Sequence, residues 1–79
     1  MLKSAGKFGM CEMEMAADRI IKNAETHNSR TLHLAYESFA EGSEADGFLH
    51  LLCGGFMKPL PGYNGLFTPN DAFWKRIDE

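Results

Sequence analysis

Met10, Met13, Ala17, Ile20, Ile21 and Ala24 recur at steps of three and four, the repeat of an α-helix that buries one stripe of its surface. No other stretch constrains the fold as tightly. The opposite face carries Glu14, Asp18, Lys22 and Glu25, and Asp18 precedes Lys22 by four positions, the favourable order for a helical ion pair. A helix over about residues 10–26 follows. The polar run Thr26-His27-Asn28-Ser29 then supplies side chains suited to turns and helix caps.

Beyond that break, Leu32, Ala35, Tyr36, Phe39 and Ala40 again match the helical period, which predicts a second helix over 30–41 closed by Gly42. Ser43 and Asp46 resemble a capping box ahead of Phe48, Leu51 and Leu52. A third helix over 44–53 is expected there, although Gly47 weakens it and the run Phe48 to Cys53 is short enough to be a buried strand. Gly54, Gly55, Pro59, Pro61, Gly62 and Gly65 punctuate the stretch 54–69, which reads as an ordered loop pinned by Phe56, Leu60, Tyr63, Leu66 and Phe67. Thr68-Pro69-Asn70-Asp71 looks like a helix start, leading to a short helix over 70–78 with Phe73, Trp74 and Ile77. The expected fold class is all-α: one domain, a small three- to four-helix bundle with the Gly/Pro-rich loop before the short C-terminal helix.

A chain of 79 residues buries only about 60% of the surface its unfolded form exposes. Its core is thin, and domains of this size often draw stability from a metal, disulfides or a second subunit. No disulfide framework is readable in two cysteines, Cys11 and Cys53, each inside an apolar stretch where a thiol is expected to be buried. Nor do His27, His33 and His50 combine with those cysteines at a zinc-binding spacing. No metal and no cofactor is therefore expected. That leaves the second subunit, and a homodimer is the expectation. Lys3 and Lys7 are followed by Glu12, Glu14 and Asp18 rather than by the apolar run of a secretory signal, and no stretch is long enough to span a bilayer. A reduced, cytoplasmic setting fits these features.

Chemistry is sparsely signalled. A Cys–His nucleophile needs the base beside the thiol, and nothing marks such a pair; Gly54-Gly55 lacks the spacing and the lysine of a phosphate-cradling loop. A non-enzymatic role is expected, with a small enzyme or metal-binding protein of unreadable site as the remote alternative. The net charge of −3, and the four carboxylates Glu37, Glu41, Glu44 and Asp46 with no base among them, argue against a nucleic-acid backbone as partner. The order helix, polar break, then Ser29-Arg30-Thr31-Leu32 opening a second helix does have the rhythm of a helix-turn-helix, with Arg30, Thr31 and His33 as its base-contacting candidates, so a DNA-binding regulator is the second reading.

The stronger pointer is aromatic. Phe48, Phe56, Tyr63, Phe67, Phe73 and Trp74 crowd the C-terminal part of the chain, and Arg76 follows Trp74 closely. Large rings beside a guanidinium are the residue types that anchor protein interfaces, and Phe56, Tyr63, Phe67, Phe73, Trp74 and Arg76 form the candidate partner-binding set. Core packing is the competing use of the same rings. The first helix adds to this, because Cys11, Met15 and Ala16 fall off its main apolar stripe and widen its apolar girth. The function expected is a small non-catalytic regulator or inhibitor that masks part of a target protein, of the kind phages and other mobile elements encode.

Overall fold

A computed structural model describes residues 6–39 and 42–79. In chain order it comprises α1 (Cys11–His27), β1 (Leu34–Ala35), a 3-10 turn (Tyr36–Ser38), α2 (Ser43–Cys53), β2 (Met57–Pro59), β3 (Leu66–Pro69) and α3 (Asp71–Asp78). The strands form one antiparallel sheet in the order β1-β3-β2. The fold is therefore α+β and not the expected all-α bundle.

The helices expected over 10–26, 44–53 and 70–78 form close to those bounds, and the strand alternative for Phe48 to Cys53 is not taken. α1 buries Met13, Ala16, Ala17, Ile20, Ile21 and Ala24. It ends in a Schellman motif: Asn28 takes the left-handed conformation (φ 50°), its N–H donates to the Glu25 carbonyl, and the Ser29 N–H donates back to the Ala24 carbonyl. The break that looked like the cap of a following helix is thus the cap of the preceding one. At the other end the Glu14 carboxylate accepts from the backbone N–H groups of Gly6, Phe8 and Gly9. This folds the leading turn back and sets the Phe8 ring against Phe56 and Phe73.

The helix expected over 30–41 does not form. Leu34 and Ala35 form β1 instead, and from Thr31 to Leu34 exposed and buried residues alternate, Thr31 and His33 out and Leu32 and Leu34 in; this is the period-two alternation of a strand. Both periods were latent in the same residues. Leu34 and Ala35 pair with Phe67 and Leu66, and an isolated helix of that length is marginal unless packing supports it. Of the residues that helix was to include, Ala40 and Glu41 lie outside the described ones, as does Lys3. Gly42 is the N-cap of α2 rather than the stop of a helix, so Ser43 is the first residue inside α2 and not its cap.

The expected loop over 54–69 is a β-hairpin instead. Met57, Lys58 and Pro59 face Pro69, Thr68 and Phe67 across it, and Leu60 N–H donates to Leu66 O (2.9 Å) at its turn. Strands of three and four residues, each ending in proline, fall below what periodicity resolves, and a proline within a run argues against a strand. Pro59 ends the edge strand β2, where a missing N–H is tolerated. α2 leads into the hairpin through Gly55 at φ 82°, a conformation that favours glycine, with Phe56 N–H donating to Leu51 O (2.9 Å).

Asn70 joins three elements. Its side-chain oxygen accepts from Phe73 N–H (3.2 Å) as the cap of α3, its side-chain amide donates to Gly55 O (2.6 Å), and its backbone N–H donates to Phe56 O (3.1 Å). The cap anticipated in Thr68-Pro69-Asn70-Asp71 is this residue.

The core lies between α1, α2, α3 and the sheet, with Phe48, Phe73, Ile20, Ile21, Leu51 and Ile77 fully buried. α1 and α2 pack antiparallel at very close range. A Cβ built on Gly47 would stand 1.9 Å from the Glu12 carbonyl oxygen and 2.9 Å from the Ala16 Cβ. Glycine at this place is what lets the two backbones meet, and the residue that weakened the helical reading is the one the packing requires. Arg19 clips the same helices together, donating to Glu44 (2.7 Å) and to the Ser38 carbonyl (2.6 Å) and lying over the Phe39 ring.

Candidate functional site

The fold sorts the candidate aromatic set by burial. Phe73 is fully inside the core, edge-on to Trp74 and stacked on Phe8; its ring stabilises the fold and has no surface to offer. Phe56, Phe67 and Trp74 are half-buried and packed against the core. Phe56 meets Phe8 edge to face, and Phe67 meets Phe48 in the same way. Arg76 lies over the Phe56 ring and donates to the Lys7 carbonyl (3.0 Å), so its charge is used within the chain. Tyr63 differs from all of these. It stands at the hairpin turn, 55% exposed, and its backbone N–H donates to Leu60 O (3.2 Å).

Trp74 is covered from the other side. The Arg30 guanidinium sits 4.6 Å from its ring centre and donates both terminal nitrogens to the Asp78 carboxylate at 2.9 Å. This two-pronged bond holds the Asp78 carboxyl below the usual carboxylate range, and hydrogen bonding to Asp78 raises Arg30. A carboxyl lowered in the folded state contributes stability that is complete above its ordinary value near 4. That contribution is lost as the pH falls through the lowered value. Arg30 is protonated across the same range, so its own loss lies far to the alkaline side. Thermal melts on acidification should therefore show a modest destabilisation below about pH 4 that Asp78→Asn flattens. Both partners are about half exposed (49% and 52%), so solvent and salt screen the pair and raised salt should shrink the difference.

Two surface features lie next to Tyr63. His33, exposed beside the buried Leu32 and Leu34, brings its ring to 5.6 Å from the Tyr63 ring. His33 also lines a groove of about 530 Å³ between α1 and the segment Thr31 to Leu34, with Arg19, Asn23 and His27 along its helical wall. The sequence placed His33 at the start of a helix over 30–41, as a residue that could reach DNA bases, and Tyr36 on that helix's apolar stripe; in the alternation Thr31-Leu32-His33-Leu34 His33 is instead exposed next to Tyr63, and Tyr36 is 42% exposed and edge-on to Phe48.

Both cysteines are exposed, contrary to the expectation that apolar neighbours would bury them: Cys11 opens α1 and Cys53 closes α2, each on the helix face turned from the core. Among the described residues no three of His, Cys, Asp and Glu come together as a metal-holding group, and no described helix is long and apolar enough to cross a membrane. The DNA-reading helix of a helix-turn-helix would have been 30–41, and among the described residues of that segment the strand Leu34–Ala35 and the 3-10 turn Tyr36–Ser38 stand in its place. Comparison of the chain with protein-family models, with curated proteins and with solved structures gave no match.

Proposed function

We propose that this chain is a non-catalytic protein-binding regulator that masks part of a target protein, with Tyr63 as its anchor. The presentation of Tyr63 is the observation that supports this reading. An aromatic ring with a polar tip, held out on a hydrogen-bonded turn, loses little conformational freedom on docking and presents both apolar area and a hydroxyl. Phe56, Phe67 and Trp74 support that anchor from below by fixing the hairpin and α3 to the core.

Capture of a stoichiometric protein from a cell extract by the intact chain, lost in Tyr63→Ala with the circular-dichroism spectrum unchanged, is the expected result. Equal capture by both proteins would remove Tyr63 from the interface. Self-association belongs to the same proposal, since Met10 just before α1 and Met15 and Leu49 on the outer faces of α1 and α2 leave apolar surface exposed (36%, 42% and 45%) and the core is small. Light scattering of the purified chain is expected to give the mass of a dimer. A monomeric mass would show that one copy's core suffices.

A further inference from the structure

An asparagine side chain loses its amide when the backbone nitrogen of the next residue attacks it, and a fold can permit or deny that step. The side-chain amide must be loose, the following N–H must be free of other bonds, and the following residue must leave room for the approach. Glycine, without a Cβ, leaves the most room. The chain has four asparagines, Asn23, Asn28, Asn64 and Asn70, and the fold treats them differently.

Asn23 is followed by Ala24 inside α1, where the backbone N–H is given to the carbonyl four residues back. Asn28 is followed by Ser29, whose N–H donates to the Ala24 carbonyl (3.0 Å) in the helix cap. Asn70 is held by its own side chain, which accepts from Phe73 N–H (3.2 Å) and donates to Gly55 O (2.6 Å). Asn64 has none of these restraints. It is exposed at the tip of the hairpin, followed by Gly65 at φ 83°, and no described residue accepts from the Gly65 N–H or bonds the Asn64 side chain. The turn around this pair is closed by Leu66 N–H donating to Tyr63 O at 3.5 Å, longer than such bonds usually are. Backbone rotation at an exposed tip held so weakly costs little free energy.

We propose that Asn64 is a site of spontaneous deamidation and that the fold confines this chemistry to it. The Gly65 nitrogen gives its proton to hydroxide and attacks Asn64 Cγ. A carbon–nitrogen bond forms to Gly65, the bond from Cγ to the side-chain nitrogen breaks, and that nitrogen takes a proton from water and leaves as ammonia. Water then opens the resulting succinimide ring at either carbonyl, giving aspartate or isoaspartate. The balance is water consumed and ammonia released, with nothing oxidised or reduced. The product carries a new carboxylate, and its isoaspartyl form an extra backbone atom, beside Tyr63 and its contact with the His33 ring (5.6 Å). Under the protein-binding reading the change falls next to the anchor. The chemistry itself needs no partner, so it stands or falls separately from that reading.

Incubation of the intact, folded chain at neutral and mildly alkaline pH, followed by proteolytic mapping and mass spectrometry, tests this. Conversion at Asn64 is expected, with isoaspartate in excess, at a rate rising in proportion to hydroxide, while Asn23, Asn28 and Asn70 stay unchanged over the same time. A peptide of the sequence Pro61 to Phe67 in the same buffers sets the unrestrained rate, and the folded chain should convert Asn64 within about tenfold of it. In urea, conversion at Asn28 should accelerate as the cap that occupies Ser29 N–H is lost. Conversion of Asn64 more than about tenfold slower than in the peptide would show that the fold protects it and overturn the site. Conversion at Asn23, Asn28 or Asn70 as fast as at Asn64 in the folded chain, or no acceleration of Asn28 in urea, would overturn the selectivity assigned to the fold.

Discussion

Phe48→Ala is expected to destabilise the protein by about 3–5 kcal/mol, the usual cost of deleting a fully buried aromatic ring. A domain of this length has a total stability of only about 4–12 kcal/mol, so the variant should be partly unfolded near 37 °C. The size of the effect follows from where the ring sits. Phe48 projects from α2 with no exposed surface and touches Phe39 at 4.7 Å, Tyr36 at 5.7 Å and Phe67 at 5.6 Å between ring centres. Those three rings belong to the chain around the 3-10 turn and to the central strand β3, so one side chain joins α2 to the sheet. Urea denaturation followed by far-ultraviolet circular dichroism measures the loss. Near-ultraviolet dichroism should collapse first, since the aromatic contacts go before the helices do. Phe48→Leu, which keeps most of the buried volume, is expected to cost far less; equal losses in the two variants would mean that the ring contacts matter little.

The second large effect is expected at Gly47, where two physical terms oppose one another. Glycine inside a helix is about 1 kcal/mol worse than alanine, so in an exposed helix Gly→Ala stabilises. Here the added methyl would stand 1.9 Å from the carbonyl oxygen of Glu12. The obstacle is backbone of α1 rather than the end of a flexible side chain, and relief requires the two helices to separate. Forcing extra atoms into a packed interior costs about 1–3 kcal/mol and sometimes more, and a rigid obstacle places this site at the top of that range. Gly47→Ala should therefore destabilise by about 2 kcal/mol net, and Gly47→Val by more, as read from denaturation midpoints at constant m-value. A Gly47→Ala variant more stable than the parent chain would mean that α1 and α2 do not approach this closely. The separation should also lengthen the Arg19–Glu44 bond, which bridges the same pair of helices.

These two residues illustrate what local reading resolves. Gly47 counted against a helix on propensity alone, while Phe48 and Leu51 counted for one, and the periodic apolar set prevailed. The reason for the glycine lay in a backbone from another part of the chain, which no window around position 47 contains. In the aromatic set the same limit appears in another form. Composition pointed to Phe56, Tyr63, Phe67, Phe73, Trp74 and Arg76 as candidates for an interface, since ring and guanidinium chemistry serve cores and interfaces alike. Burial then separated them: Phe73 is core, Arg76 is bound to the Lys7 carbonyl, and Tyr63 remains presented.

By itself the sequence determined α1, α2 and α3 to within a residue or so, because each carries enough periodic or capping signal within a single window: the stripe from Met13 to Ala24, the set around Phe48 and Leu51, and the Asn70 cap. Only the tertiary structure decided the rest. Residues 31–35 fit both the helical and the strand period, and pairing with Leu66 and Phe67 selected the strand; the hairpin from Met57 to Pro69 exists because each of its short strands supplies the other's backbone partners. Helical hydrogen bonds close within four residues and can be read locally. The bonds of a sheet are supplied by distant chain, and here they place His33 against Tyr63 and open the groove beside α1.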